Sequence, residues 1–100
     1  MLRLSSGDTI LDINPDVAGS ISRLTRKGVD VMRPTPEGAI DALLTACFPL
    51  VPFCNRIRNV KFVFEGHKVQ LSPNLGDGHP HPLHGQGWRK PWQVIEATAA

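Results

Sequence analysis

The stretch from residue 72 to residue 91 constrains the fold most, because it contains four prolines and four glycines. Proline removes a backbone donor and fixes φ, and glycine weakens both helices and strands, so no continuous helix or ladder can run through it. Loops of this length inside a compact domain are usually functional or disordered. The same stretch carries three of the four histidines and one of the two tryptophans, which favours a functional loop.

Period-two alternation of apolar and polar residues predicts antiparallel strands over the first third of the chain. Strands are expected at 9–14, 17–25 and 29–32. The connections between them are rich in Asn, Pro, Asp, Lys and Gly, which are turn residues. Gly19 lies inside the second of these strands and is predicted to mark a bulge or a close approach of neighbouring backbone. The first third is therefore expected to form a meander.

The remaining elements are predicted from proline positions and alternation. Residues 34–38 are expected to form a loop, 39–46 a helical turn, and 48–53 an extended segment that its two prolines exclude from a central strand. Two alternating runs at 61–64 and 68–71 flank a connection that contains Gly66. Such a pattern predicts a β-hairpin. A last strand is predicted at 92–97.

Composition limits the size and the class of the protein. One hundred residues suit a single domain with a modest core. The net charge is +2 and the basic residues are dispersed, which disfavours a nucleic-acid surface. No apolar stretch approaches membrane-span length and no signal-peptide pattern opens the chain, so a cytoplasmic location and no membrane partner are expected. Cys47 and Cys54 are then expected to be reduced and semi-buried.

The cluster of His79, His81 and His84 admits three interpretations. Imidazole can ligate a metal, and His67 or a cysteine could complete a tetrahedral set. No carboxylate follows the His-Pro-His pair within a few residues, which argues against a metal site. His79 and His81 are interpreted as exposed loop residues, whereas His84, between a leucine and a glycine, is predicted to face a pocket.

Asn55 and Arg56 form an adjacent pair that can recognise vicinal hydroxyls or a carboxylate, because Arg donates from a fixed fork and Asn both donates and accepts. The alternative is an ordinary surface ion pair. Trp88 and Trp92 can stack on the apolar face of a sugar or pack in a core. We assign Trp88 to substrate binding and Trp92 to the core. No phosphate-binding glycine loop, GxSxG elbow or CxxC pair is present.

The order of several motifs carries a family resemblance. They are FPLVPFCNRI (48–57), FVFEGHKVQLSPN (62–74), HPLHGQGW (81–88) and PWQV (91–94), preceded by ILDINPDVAGSISRL (10–24). This series resembles the N-terminal part of the aldose 1-epimerase (galactose mutarotase) family, in which an Asn-Arg-Ile segment, a hairpin ending in Asn and a Leu-His-Gly segment follow one another. The resemblance covers nearly the whole chain.

The resemblance implies an all-β fold, an antiparallel galactose mutarotase-like β-sandwich (supersandwich), of which residues 1–100 would be the N-terminal portion. It also implies a monosaccharide substrate, an aldohexose such as galactose or glucose, with no cofactor and no metal. Asn55 and Arg56 would hydrogen-bond sugar hydroxyls, and His84 would be the first of two active-site histidines. The expected reaction is the interconversion of α and β anomers by acid and base catalysis.

Family members are about three times as long as this chain, and their second histidine and their glutamate base have no counterpart in it. We therefore expect little or no turnover from this chain alone. The alternative function is a non-catalytic sugar-binding or assembly module of the same fold. Strands cut from a large sandwich leave exposed edges, so self-association through those edges is also expected.

Overall fold

The computed structural model describes residues 1–98. The chain divides into two compact units. Unit 1 consists of Met1–Pro49 with Gly87–Ala100, and unit 2 consists of Leu50–Gln86. The prediction that residues 1–100 form one domain stays a prediction, and its last two residues lie outside the described part of the chain.

Unit 1 contains a four-stranded antiparallel sheet with strand order β1-β2-β3-β4. The strands are β1 (Leu2–Ser6), β2 (Thr9–Asn14), β3 (Ser20–Arg26) and β4 (Val29–Asp30). Sequential strands are neighbours throughout, so the predicted meander is confirmed. β1 was not predicted, and the strand predicted at 29–32 is two residues longer than β4.

One face of this sheet carries a row of alternating charges. Arg3 lies opposite Asp12, and Asp12 lies opposite Arg23. Arg3 binds Asp12 through two contacts of 2.6 and 2.8 Å, and Arg23 binds Asp30 at 2.6 and 3.3 Å. The hydrogen bonds from Arg3 lower the pKa of Asp12, and those from Arg23 lower the pKa of Asp30. Cross-strand pairs of opposite charge favour this register.

The turn between β2 and β3 is a short 3₁₀ helix, Pro15–Val17, which begins after Asn14. Asn14 Oδ1 accepts a hydrogen bond from Asp16 N at 3.1 Å, as expected of an N-cap. The register shift between β2 and β3 falls between Asp12 and Ile13, away from Gly19. A Cβ at Gly19 would lie 3.4 Å from the Trp92 ring. The close approach predicted at Gly19 therefore involves a side chain, not backbone.

The core of unit 1 is small. Its buried apolar residues are Val17, Ala18, Ala42 and Trp88. Ala42 begins the 3₁₀ helix Ala42–Leu44, within the range in which a helical turn was predicted. Trp88 lies in the 3₁₀ helix Gly87–Arg89.

The predicted strand at 92–97 is wrong, because residues 91–98 contain no strand. Trp92 N donates one backbone hydrogen bond, to Pro15 O at 2.8 Å, and one such bond does not make a ladder. Trp92 is 42% exposed, so its assignment to the core is also wrong. Its ring is held at the surface by Nε1, which donates to Gly87 O at 2.9 Å.

Unit 2 contains one hairpin of two antiparallel strands, β5 (Lys61–Phe64) and β6 (His67–Gln70), which confirms the predicted hairpin. The 3₁₀ helix Arg58–Val60 precedes it. Isolated bridges pair Val51 with Gly85 and Arg56 with Leu83. All helices in the described residues are three-residue 3₁₀ turns, so the all-β antiparallel prediction is confirmed.

Both cysteines, Cys47 and Cys54, are free thiols, and both are exposed, not semi-buried as predicted. Between residues 1 and 98 no helix has the length and apolar character that crossing a bilayer requires.

Candidate functional site

Asn55 and His84 contact each other although 29 positions separate them. The backbone N of Asn55 donates to His84 Nδ1 at 2.7 Å, and the backbone N of His84 donates to Asn55 O at 2.9 Å. Each residue therefore fixes the other through a main-chain group. Two of the predicted site residues are brought together by this pairing.

The hydrogen bond to Nδ1 fixes the tautomer of the His84 ring. A backbone N–H can only donate, so Nδ1 must be unprotonated to accept it. The proton of the neutral imidazole then lies on Nε2. This ring can donate a hydrogen bond from Nε2 to an oxygen of a bound molecule while its orientation is held from the other side.

The backbone at both residues is left-handed, with φ of 65° at Asn55 and 55° at His84. Asparagine and histidine adopt this region more often than most other side chains, but each such residue still costs about 1–3 kcal/mol, which the surrounding structure must offset. Gly85 continues the left-handed run with φ of 67°. A Cβ at Gly85 would collide with the Val51 carbonyl group and the Pro52 ring, so only glycine fits this bridge to Val51.

Asn74 holds the segment on either side of His84. Its Nδ2 donates to Leu83 O at 2.9 Å and to Gly85 O at 2.7 Å. Its Oδ1 accepts from Leu83 N at 2.8 Å. Asn74 was identified from the sequence only as the residue that ends the hairpin motif, and these contacts were not foreseen.

Arg56 follows Asn55, and its backbone N donates to Asn55 Oδ1 at 2.9 Å. The bridge between Arg56 and Leu83 ties it to the segment that carries His84. Its side chain is exposed, and within residues 1–98 no ion pair involves it. The surface ion pair considered as an alternative is therefore absent from the described structure.

Trp88 belongs to unit 1, whereas Asn55, Arg56 and His84 belong to unit 2. It is only 2% exposed. Its ring packs against Phe48 with centroids 6.2 Å apart, and the Arg89 guanidinium lies 5.0 Å from its centroid. Trp88 also borders a cavity of about 330 Å³ in unit 1. Its role in substrate binding stays a prediction.

A second cavity, of about 220 Å³, lies within unit 2 beside the Asn74 contacts. Asn74 and Gly85, which are hydrogen-bonded to each other, line this cavity. Most of the other lining residues are apolar: Pro52, Phe53, Leu71 and Pro82. The volume of the cavity lies below the roughly 300–1,000 Å³ of most small-molecule sites, and neither Asn55, Arg56 nor His84 lines it.

The other histidines take no part in this arrangement. His67 and His79 are exposed, and His81 is half-buried, with a buried Nδ1 that lacks a hydrogen-bond partner. In the described part of the chain, no three His, Cys, Asp or Glu side chains are grouped so that they could hold a metal ion.

Comparison with known proteins identifies the family. The family model described as aldose 1-epimerase matches residues 7–100. This chain belongs to the aldose 1-epimerase family. Among relatives of this epimerase-family chain, an uncharacterized Escherichia coli K12 protein named YphB is 39% identical over 92 residues. These residues are 92% of this chain and 31% of that protein.

A solved structure supports the same family and the fold. It is that of an Escherichia coli K12 protein described as a candidate aldose 1-epimerase, with a TM-score of 0.83 and 36% sequence identity. The match covers 96% of this chain and 32% of that structure. The chain thus spans about a third of the length of the relatives that it matches.

Proposed function

We propose that this chain provides part of the sugar-binding face of an aldose 1-epimerase, a protein that interconverts the α and β anomers of an aldohexose. The observation that carries the proposal is the reciprocal pairing of Asn55 and His84. It fixes the His84 imidazole with its proton on Nε2, and the bridge between Arg56 and Leu83 ties the exposed Arg56 to the same segment. A neutral donor beside an arginine fork suits a neutral, hydroxyl-rich ligand.

In this proposal His84 contacts the sugar from Nε2. Mutarotation begins when a base removes the proton from the anomeric hydroxyl and the C1–O5 bond breaks, while the ring oxygen gains a proton. The C1 end then rotates and the same steps run in reverse. A donor held at an oxygen where charge develops stabilises that charge without reorganising. Asn55 and Arg56 orient the ring through its hydroxyls. The substrate contact predicted for Trp88 is a separate prediction.

The family resemblance assigns the acid and the base to a second histidine and a glutamate that have no counterpart in these 100 residues. The chain corresponds to 31% and 32% of the two relatives described above. We therefore propose that this chain binds an aldohexose and accelerates its mutarotation little or not at all. The cytoplasmic location also stays a prediction.

A binding experiment tests the proposal. Titration of the chain with galactose or glucose, followed by NMR, should move the amide signal of Asn55, and His84→Ala should abolish the saturable shift. His79→Ala is the matched control, because His79 is an exposed histidine of the same unit. Loss of binding in both variants, or in neither, would contradict a role for His84. Polarimetry on the unsubstituted chain should give the spontaneous rate of mutarotation.

We also propose that copies of the chain associate through exposed strand edges. The β5–β6 hairpin has no third strand, and its Val63 and Phe64 are 67% and 63% exposed. Unpaired strands with apolar side chains tend to pair with other chains. Light scattering should detect species larger than a monomer. A single monomeric species with cooperative thermal unfolding would refute this.

A further inference from the structure

Asn74 contacts the main chain of both neighbours of His84 and does not contact the His84 side chain in any hydrogen bond described above. Its amide group uses both Nδ2 protons, one for Leu83 O and one for Gly85 O. Its carbonyl oxygen accepts from Leu83 N. All three distances lie between 2.7 and 2.9 Å, which is good hydrogen-bond geometry. The side chain therefore takes the place of a neighbouring strand along residues 83–85.

Leu83–Gly85 is not part of a regular strand. Isolated bridges pair Arg56 with Leu83 and Val51 with Gly85. Leu83 and Gly85 are both buried, so their carbonyl oxygens must find donors inside the protein. Asn74 supplies one donor to each.

The same contacts hold His84 in a conformation that it would not keep by itself. His84 has φ of 55°, and Gly85 has φ of 67°. Leu83 O lies in the peptide plane before the His84 Cα, and Gly85 O lies in the plane after the Gly85 Cα, so fixing both restrains the main chain that runs through His84 and Gly85. The direction of the His84 ring, and hence the hydrogen bond from Asn55 N to Nδ1, depends on the path of that main chain.

We infer that Asn74 is a positioning residue of the proposed sugar site, acting through His84. Asparagine is the side chain that meets the requirement, since it combines two donors and an acceptor on a short stem. Aspartate keeps the size and the acceptor but loses both donors. The effect of Asn74 on sugar binding rests on the proposed function of His84. The effect of Asn74 on the placement of the His84 ring can be measured without any sugar.

The test uses the 100-residue chain and the variant Asn74→Asp. Its control is Asn59→Asp, which adds the same charge at an exposed asparagine of unit 2 that also has a positive φ, of 59°. Ring ¹⁵N shifts report the His84 tautomer, and hydrogen exchange reports the Asn55 amide relative to the amides of the β5–β6 hairpin. The aldose dissociation constant, corrected for the folded fraction, is the third measurement.

In Asn74→Asp the Asn55 amide should exchange at least about tenfold faster relative to the hairpin amides, as expected when a hydrogen bond of ordinary strength is lost. The His84 ring should become a mixture of tautomers, and the aldose dissociation constant should rise roughly tenfold. Asn59→Asp should change none of the three. The inference would be overturned if the exchange rate of the Asn55 amide changed only as much as the rates of the hairpin amides and the His84 tautomer stayed the same.

The same measurements still test the role of Asn74 if the chain binds no aldose or if the variant does not fold. If the unsubstituted chain binds no aldose, the proposed function fails, and the tautomer and exchange data still decide the role of Asn74. If Asn74→Asp does not fold, the unsubstituted chain decides it instead. The side-chain Nδ2 protons of Asn74 should then exchange more slowly than those of Asn59, and equal rates would refute the inference.

Discussion

Replacing Gly85 by alanine should distort the main chain of the candidate site, although the substitution removes no functional group. Gly85 pairs with Val51 so closely that an added Cβ would overlap the Val51 carbonyl group and the Pro52 ring. Overlap with backbone is not relieved by a side-chain rotation, so the bridge must open. Opening it also moves Gly85 O away from Asn74 Nδ2.

The expected cost follows from two contributions. An alanine at φ of 67° costs about 1–2 kcal/mol wherever it lies. Losing the bridge and leaving a buried carbonyl without its donor adds about 1–3 kcal/mol. A total of about 3 kcal/mol is a large part of the 5–15 kcal/mol of stability typical of a small domain. With a urea m-value of about 2 kcal/mol/M, the unfolding midpoint should fall by about 1.5 M.

Gly78→Ala is the matched control. Gly78 lies in the same unit with φ of 80°, and no atom lies within 4 Å of the position of an added Cβ. It should show only the left-handed backbone cost, a fall of about 0.5–1 M in the urea midpoint. In addition, only Gly85→Ala should speed hydrogen exchange at the Asn55 amide. Equal midpoints for the two variants would refute the argument that a backbone contact makes glycine necessary at position 85.

Three further predictions concern unit 1. Asp12 has a lowered pKa in the folded chain because Arg3 hydrogen-bonds it, so its contribution is present above about pH 4 and is lost as pH falls through the folded pKa. The difference in urea midpoint between the unsubstituted chain and Asp12→Asn should therefore shrink in acid, and a constant difference would contradict this. Trp88→Ala should lower the unfolding free energy by about 3–5 kcal/mol, because a buried indole and its contact with Phe48 are lost. Trp92→Ala should cost clearly less in the same urea titration, since Trp92 is 42% exposed.

Local patterns predicted the elements whose partners are close in sequence. The β5–β6 hairpin and the β2–β3–β4 meander follow from alternation and turn residues between consecutive strands. The alternation of apolar and polar residues failed to predict strands whose formation depends on pairing with another strand. Leu2–Ser6 is a strand because it pairs with β2, whereas residues 92–97 contain more apolar residues and yet form no strand.

The candidate site was predicted only in its residue types. Asn55, Arg56 and His84 were predicted from the chemistry of their side chains, the family resemblance implied their roles, and those roles in binding stay predictions. The pairing of Asn55 with His84 could not be read from the sequence, because it joins two loops and depends on left-handed backbone at both residues. The three contacts of Asn74 span 9 to 11 positions through a segment without regular structure. No periodicity signals such contacts.

Aldose binding at the Asn55 and His84 pair is tested most directly by an NMR titration of the chain with an aldohexose and, separately, with the corresponding alditol, which cannot close to a ring. We expect a saturable shift of the Asn55 amide and of the His84 ring nitrogens with the aldohexose, and a much weaker response to the alditol. Equal responses to the two compounds, or shifts confined to residues outside the Asn55 and His84 pair, would contradict a site built to hold an aldose ring.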